Sequence, residues 1–281
     1  MKKYIWIFLV LVLIGGCMSP LNNDYARPVQ TQVTALSTTG WIEDDATATW
    51  TYVSANADGN TFEMYRSGDV TETFTPGMRF RCKQGAGYLI FILHAVSAYD
   101  SGNDRTTLTF FGGTDFDLAD AAITDVAYST ARFPLGFTVG EENWSVKITD
   151  TTVRSRVSPV SDTFYNLHSS HVINIPVGLW RVKFQCLVTI SGGSIVAQLF
   201  VALSTSSSSA SDLEFMDHIA VLGVAGVSFS ASAFKELEVT TETPYYLIAK
   251  QESSSSTLLT IGPSVTDNEI PTVITAVSGY Y

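Results

Sequence analysis

The sequence predicts an all-β protein of two modules, a small β-barrel-like one followed by a larger jelly-roll or β-sandwich one. Three observations lead there. Charged residues make up only 15% of the 281 positions and aromatics 12%, while Ser and Thr abound, which suits a folded β protein with hydroxyl-rich faces rather than a disordered chain. Apolar residues recur with a period of two. The clearest run places Trp180, Val182, Phe184, Cys186, Val188 and Ile190 on one face, with Arg181, Lys183, Gln185 and Thr189 on the other and only Leu187 out of pattern. Turn dipeptides, not helix caps, punctuate the chain, and beyond its N-terminal segment no stretch carries a persuasive helical period.

The first module is read over residues 40–132. Trp50, Tyr52 and Ser54 alternate with Thr51 and Val53, and Met78, Phe80 and Cys82 alternate with Arg79, Arg81 and Lys83. Residues 88–96 are almost wholly apolar, as expected of a strand buried on both faces. Residues 108–111 form another strand, ended by Gly112-Gly113. Turns are expected at Asp58-Gly59, Ser67-Gly68-Asp69, Pro76-Gly77 and Ser101-Gly102-Asn103. Five or six short strands in about 85 residues suit a small barrel or a curled sheet.

Residues 133–143, opening with Phe133-Pro134-Leu135-Gly136, read as a joint, and residues 144–281 as the second module. Its main strand is expected at 179–190. Gly192-Gly193 turns the chain into 195–203, apolar on both faces, and a Ser-rich loop fills 204–211. Further strands are expected at 236–240, 245–250, 257–261 and 272–281; residues 212–222 fit either a helix or a bent strand. Eight or so strands in about 140 residues is jelly-roll or sandwich size.

The chain opens with Lys2-Lys3, an uninterrupted apolar run at residues 4–14, then Gly15-Gly16-Cys17. A basic start, a short apolar stretch and small residues make a secretory signal, and the stretch is short of the about 20 residues a membrane span needs. The Leu13-Ile14-Gly15-Gly16-Cys17 string resembles a bacterial lipoprotein signal. That resemblance implies cleavage before Cys17, lipidation of Cys17, and an exported chain anchored to a membrane by its N-terminal lipid. Residues 1–17 are then the signal and 18–39 a polar tether. Two other readings stay open: an ordinary signal peptide with a chance cysteine, and a start at Met18.

A net charge of −11, more negative still without Lys2 and Lys3, argues against nucleic acid as a partner and against a polybasic contact with anionic lipid. Cys82 and Cys186 lie on apolar strand faces and are expected as free buried thiols. Four histidines with no Cys/His cluster speak against structural zinc, and no cofactor is expected.

Each candidate chemical feature has a plainer explanation. His168 and His171 are three apart, but they precede a strand with no acid between them, so a polar loop is expected rather than a metal site. Asp115, Asp117, Asp120 and Asp125 follow Gly112-Gly113 without calcium-loop spacing and read as a solvated turn. Glu43-Asp44-Asp45 reads as a surface acidic run, since glycoside chemistry needs paired carboxylates across a cleft. His94 falls inside an apolar strand and is expected as a core or edge residue. No serine sits in a Gly-x-Ser-x-Gly elbow, and no Gly-rich phosphate loop precedes a helix. Trp41, Trp144, Tyr245, Tyr246, Tyr280 and Tyr281 are candidates for stacking on sugars or packing between subunits, with strand core the plainer expectation for most. No catalytic, cofactor or metal residue is assigned.

Two stretches carry a family resemblance. Gly40-Trp41, residues 48–55 (Ala-Thr-Trp-Thr-Tyr-Val-Ser-Ala), Gly68-Asp69-Val70-Thr71, residues 74–81 (Phe-Thr-Pro-Gly-Met-Arg-Phe-Arg), Gly112-Gly113-Thr114-Asp115 and Pro134-Leu135-Gly136-Phe137 resemble a module of tail-associated and fibre-like proteins of tailed bacteriophages and prophages, over about 100 residues. Residues 175–182 (Ile-Pro-Val-Gly-Leu-Trp-Arg-Val), 201–205, 243–247 and the ending 274–281 resemble the jelly-roll heads of phage fibres, similar in architecture to tumour-necrosis-factor-like trimers. The resemblance implies a non-enzymatic virion structural or adhesion protein, a homotrimer, and contact with a host-surface glycan or protein. The alternative is a bacterial surface lipoprotein that binds carbohydrate or another cell. The lipoprotein-type signal departs from the fibre pattern.

Overall fold

The run at Trp180 to Ile190 lies within one 15-residue strand, Gly178–Gly192, around which the second half of the chain is built. In the computed structural model, residues 39–192, 196–222, 228–252, 256–263 and 270–281 are described; Cys17 and the tether lie outside them. The described chain is all-β, with three antiparallel sheets and two short 3-10 turns.

The first sheet has seven strands: β1 (Ile42–Glu43), β2 (Trp50–Ala55), β3 (Thr61–Ser67), β4 (Arg79–Gln84), β5 (Gly87–Val96), β6 (Arg105–Phe111) and β7 (Thr124–Ser129). Their order is β1-β7-β4-β5-β6-β3-β2, so the first two strands form opposite edges of the sheet. Asp44, between them, accepts from the Trp50 indole at 2.8 Å and from Arg66 Nε at 3.0 Å, tying the edges toward each other. The face this encloses is lined by Trp50, Phe62, Met64, Phe80, Phe91, Leu93, Leu108 and Phe110. Edge-on ring pairs recur there, such as Phe62 with Phe91 at 4.8 Å and Phe80 with Phe110 at 5.0 Å; each pair contributes about 1 kcal/mol beyond area burial.

The second half forms β8 (Ser145–Asp150), β9 (Arg154–Val157), β10 (Tyr165–Asn166), β11 (Val172–Ile175), β12 (Gly178–Gly192), β13 (Val196–Ser204), β14 (Met216–Leu222), β15 (Ser228–Val239), β16 (Thr243–Glu252), β17 (Ser256–Ile261) and β18 (Thr272–Ser278). One sheet runs β8-β18-β12-β17-β9, with β15 also on β12; the other runs β10-β16-β13-β14, with β11 also on β16. Strand β12 pairs β15 along one edge, and β18 then β17 along the other. Its six inward side chains, Trp180 to Ile190, are all at most 1% exposed. They pack against Leu199, Val201, Leu203, Leu247 and Ala249 of the facing sheet, each large aliphatic or aromatic contributing about 2 kcal/mol by burial. Residues 212–222, open in the sequence, resolve into a 3-10 turn at Leu213–Phe215 and strand β14.

Strand β5 is buried on both faces at residues 90–94, although it begins exposed at Tyr88. Phe91 and Leu93 face the enclosed core of the first module, whereas Ile90 and Ile92 join a second core shared with Trp180 and Trp144. The outer face of the first sheet is therefore covered by the second module. Trp41 and Trp144, candidates in the sequence for stacking on sugars, are 3% and 0% exposed and belong to the core instead. Both brace the joint, where Phe137 stacks on Trp144 at 4.8 Å and the Trp41 indole donates to the Leu135 carbonyl at 2.8 Å.

Candidate functional site

Three places on the molecule gather polar or chemically distinctive side chains: the junction between modules, one end of the facing sheets, and the outer face of the β12 sheet.

The junction is centred on His94, which is 2% exposed. Its Nδ1 lies 2.9 Å from the Val177 carbonyl and its Nε2 lies 3.1 Å from the Ser278 hydroxyl. Because a carbonyl only accepts, Nδ1 carries the proton and Nε2 accepts from Ser278. The ring packs among Phe111, Trp180 and Tyr280 at 5.1–5.5 Å. Burial pushes its pKa down to about 4, against the Val177 bond, which favours the charged form. Beside it Arg79, only 2% exposed, donates to the carbonyls of Gly77, Arg132 and Tyr280 and lies over the Phe137 ring. The period of two places Arg79 on the strand face opposite Phe80 but could not show that this face is covered.

At one end of the facing sheets, Asp150 accepts from Arg154 Nε at 2.8 Å, Ser170 Oγ at 2.9 Å and the Thr152 amide at 2.8 Å. Burial would raise its pKa, but the bonds from Arg154, Thr152 and Ser170 outweigh that and hold the carboxyl well below its ordinary range. His171 is fully buried, with Nε2 3.2 Å from Asp150 Oδ2 but without hydrogen-bond geometry. Burial pushes its pKa down, with Asp150 opposing. His168 Nδ1 accepts from the Ser170 amide at 3.1 Å and sits 2.7 Å from its hydroxyl. This arrangement closes a turn. Ser170 spends its hydroxyl on Asp150, with His168 acting as a cap rather than as its base. Among the described residues no cluster of His, Cys, Asp and Glu has the geometry of a metal site.

The remaining sequence candidates are dispersed. Asp115, Asp117, Asp120 and Asp125 are exposed, and Asp125 faces Lys83 at 3.5 Å. The acidic run is split: Glu43 pairs with Arg81, Asp44 with Arg66, and Asp45 caps Thr47. Tyr245 packs on the core of the second module, its neighbour Tyr246 falls on the other face of β16, and Tyr280 and Tyr281 are half-buried at the junction. Cys82 and Cys186 are free and buried in separate cores.

On the outer face of the β12 sheet, register places Lys147, Thr275, Lys183 and Phe234 in one row across four strands. The next row is Thr149, Val273, Gln185 and Ser232. All of these except Thr149 line a groove of about 520 Å³. Phe234 is 58% exposed, and among the described residues neither Lys147 nor Lys183 forms an ion pair. An exposed ring flanked by amide, hydroxyl and ammonium donors has the chemistry to stack on and hydrogen-bond a sugar. No sequence signal reveals such a row, because its members come from four strands and from register alone.

No family model matches this chain, and no curated protein matches it. Among solved structures it is similar to capsid proteins of infectious bursal disease virus. The VP2 subviral particle matches at 11% identity and a TM-score of 0.29, over 89% of this chain and 81% of that one. The virus of the Gx strain matches at 10% identity and a TM-score of 0.27, over 85% and 76%. At such scores the likeness assigns neither a family nor a function.

Proposed function

We propose that the protein is a non-enzymatic, phage-type structural or adhesion protein: a barrel-like N-terminal module carrying a tumour-necrosis-factor-like jelly-roll head that contacts a host-surface glycan. The groove over β8, β18, β12 and β15, with exposed Phe234 next to Lys183 and Lys147 at the other end of the row, neither lysine ion-paired among the described residues, is the observation that carries this reading. The tight junction at His94 and Arg79 supports it, since a rigid coupling transmits position from one module to the other. A homotrimer multiplies three weak sites into avid attachment. Titration of the full chain with host-surface polysaccharide tests the proposal. Phe234→Ala is expected to weaken binding about five-fold, the worth of one stacked ring, with the melting temperature unchanged. Unaltered binding, or a monomer by light scattering at micromolar concentration, overturns the site or the multivalency respectively.

A second reading, a membrane-anchored surface lipoprotein, is favoured by the Gly15-Gly16-Cys17 ending of the apolar segment. Recovery of the protein in purified virions supports the first reading, and recovery in the bacterial membrane fraction supports the second.

A further inference from the structure

The joint carries three large apolar side chains that the fold holds out in the open. Phe133 is 49% exposed, Leu135 71% and Val139 67%. Isolated exposed apolar residues are ordinary, but three within seven residues on a braced segment are not. The bracing is specific. Pro134 is buried, the Leu135 carbonyl accepts the Trp41 indole, and Phe137 is pinned on Trp144. Tyr281 links the two ends of the patch, its ring 5.9 Å from that of Phe133 and its hydroxyl accepting from the Gly140 amide at 2.8 Å. The side chains cannot collapse inward without breaking these contacts.

The patch lies where the N-terminal segment meets the fold. The Leu135 amide donates to the carbonyl of Thr39, the first described residue, at 2.9 Å. Upstream lie residues 18–38, then Cys17 and the apolar run at 4–14. On the membrane-anchored reading, in which that run is cleaved to leave a lipid on Cys17, the chain ahead of Thr39 ends in a membrane-seeking group. Even fully extended, residues 18–38 reach no farther than roughly 70 Å. The patch therefore flanks the point where the N-terminal segment enters the fold, and Arg132 at its rim donates to the Tyr281 carbonyl at 2.6 Å and lies over the Phe133 ring.

We propose that Phe133, Leu135 and Val139 form a membrane-docking face that seats the fold on the bilayer holding its N-terminal anchor. This rests on the membrane-anchored reading above. The contact is apolar, as suits a chain whose net charge of −11 opposes electrostatic attraction to anionic lipid. Docking at the joint turns the far end of β12 away from the membrane.

The test uses the full chain with Leu135→Cys, labelled with an environment-sensitive fluorophore and reconstituted into phosphatidylethanolamine–phosphatidylglycerol vesicles with brominated acyl chains. Buried Cys82 and Cys186 do not compete for label, and labelling is confined to chains whose Cys17 thiol is blocked by lipid, the unlipidated chain being scored by vesicle binding alone. Val157→Cys is the control; Val157 is 71% exposed and pairs Leu258 next to Ser191, at the opposite end of β12. The label at 135 is expected to be quenched about three-fold more than at 157, as for side chains inserted at the acyl boundary. Adding Phe133→Ser and Val139→Ser is expected to remove the difference. Equal quenching at 135 and 157 on chains whose N-terminal peptide carries the lipid mass overturns docking and leaves the anchor intact. Concentration-dependent shielding of residue 135 without vesicles makes the patch an interface between copies and also overturns docking. A full chain that carries no lipid and does not bind the vesicles overturns the anchored reading, and the docking face with it.

Discussion

His94 Nδ1 donates to the Val177 carbonyl at 2.9 Å, and so the central strand of the first module holds the residue just ahead of the longest strand of the second. The geometry requires glycine at the next position. Gly178 has φ +125, and a β-carbon there would stand 2.5 Å from His94 Nδ1. Gly178→Ala is therefore expected to destabilise the protein by about 2–4 kcal/mol, through backbone strain plus the clash. A chemical-denaturation midpoint reads the loss. Combining it with His94→Ala is expected to relieve only the clash, so the double variant loses less than the sum of the two single ones.

Stability should fall on mild acidification because of the same histidine. Its folded pKa, about 4, is depressed below the ordinary 6.5, so its contribution is fully present above pH 6.5 and lost as pH falls toward 4. The loss is of the order of 3 kcal/mol at most. Urea midpoints at pH 7.5 and 4.5 measure it, and His94→Gln should flatten the difference. His171 acts with the same sign, so some slope remains in that variant.

Asp150 joins β8, the start of β9 and the turn before β11. Asp150→Asn leaves Arg154 without its counter-charge and is expected to cost about 2 kcal/mol, discounted for the partial exposure of Arg154. Because the carboxyl is held below its ordinary value of 3.8, its contribution is present above that pH and disappears as pH falls below it. Acid unfolding of the Asn variant, followed by near-ultraviolet circular dichroism, should show a shallower dependence below pH 4 than the parent.

Cys82 and Cys186 should be inert while the fold persists. Burial pushes both thiols up to about 12, with the Asp217 charge adding to the effect at Cys186, and the thiolate is the reactive form. In a Cys17→Ser chain, a maleimide at pH 7.5 is expected to label neither residue before denaturant and both after it. Fast labelling of Cys186 in the native protein would mean that the core between the facing sheets opens.

The main strands were legible in the sequence because alternation is local, although β3, β7, β8, β9 and β11 are not among those the alternation picked out. A side chain's face is set by its own position, so the Trp180 to Ile190 stripe, the Phe80 and Cys82 face and the free thiols could all be read directly. The tertiary structure decided what lay on the other side of each strand. The apolar run in β5 announced two buried faces but not that one belongs to its own module and the other to a shared core. Arg79 lies opposite Phe80 in the pattern and is nonetheless buried, and Trp41 and Trp144 close the joint. Asp150 finds Ser170 and His171 across a turn, and Lys147, Thr275, Lys183 and Phe234 share a row only because β8, β18, β12 and β15 pair in that order and register. Periodicity fixes which side chains want burial; strand order and register, set by contacts distant in sequence, fix what buries them and which ones are left to meet a partner.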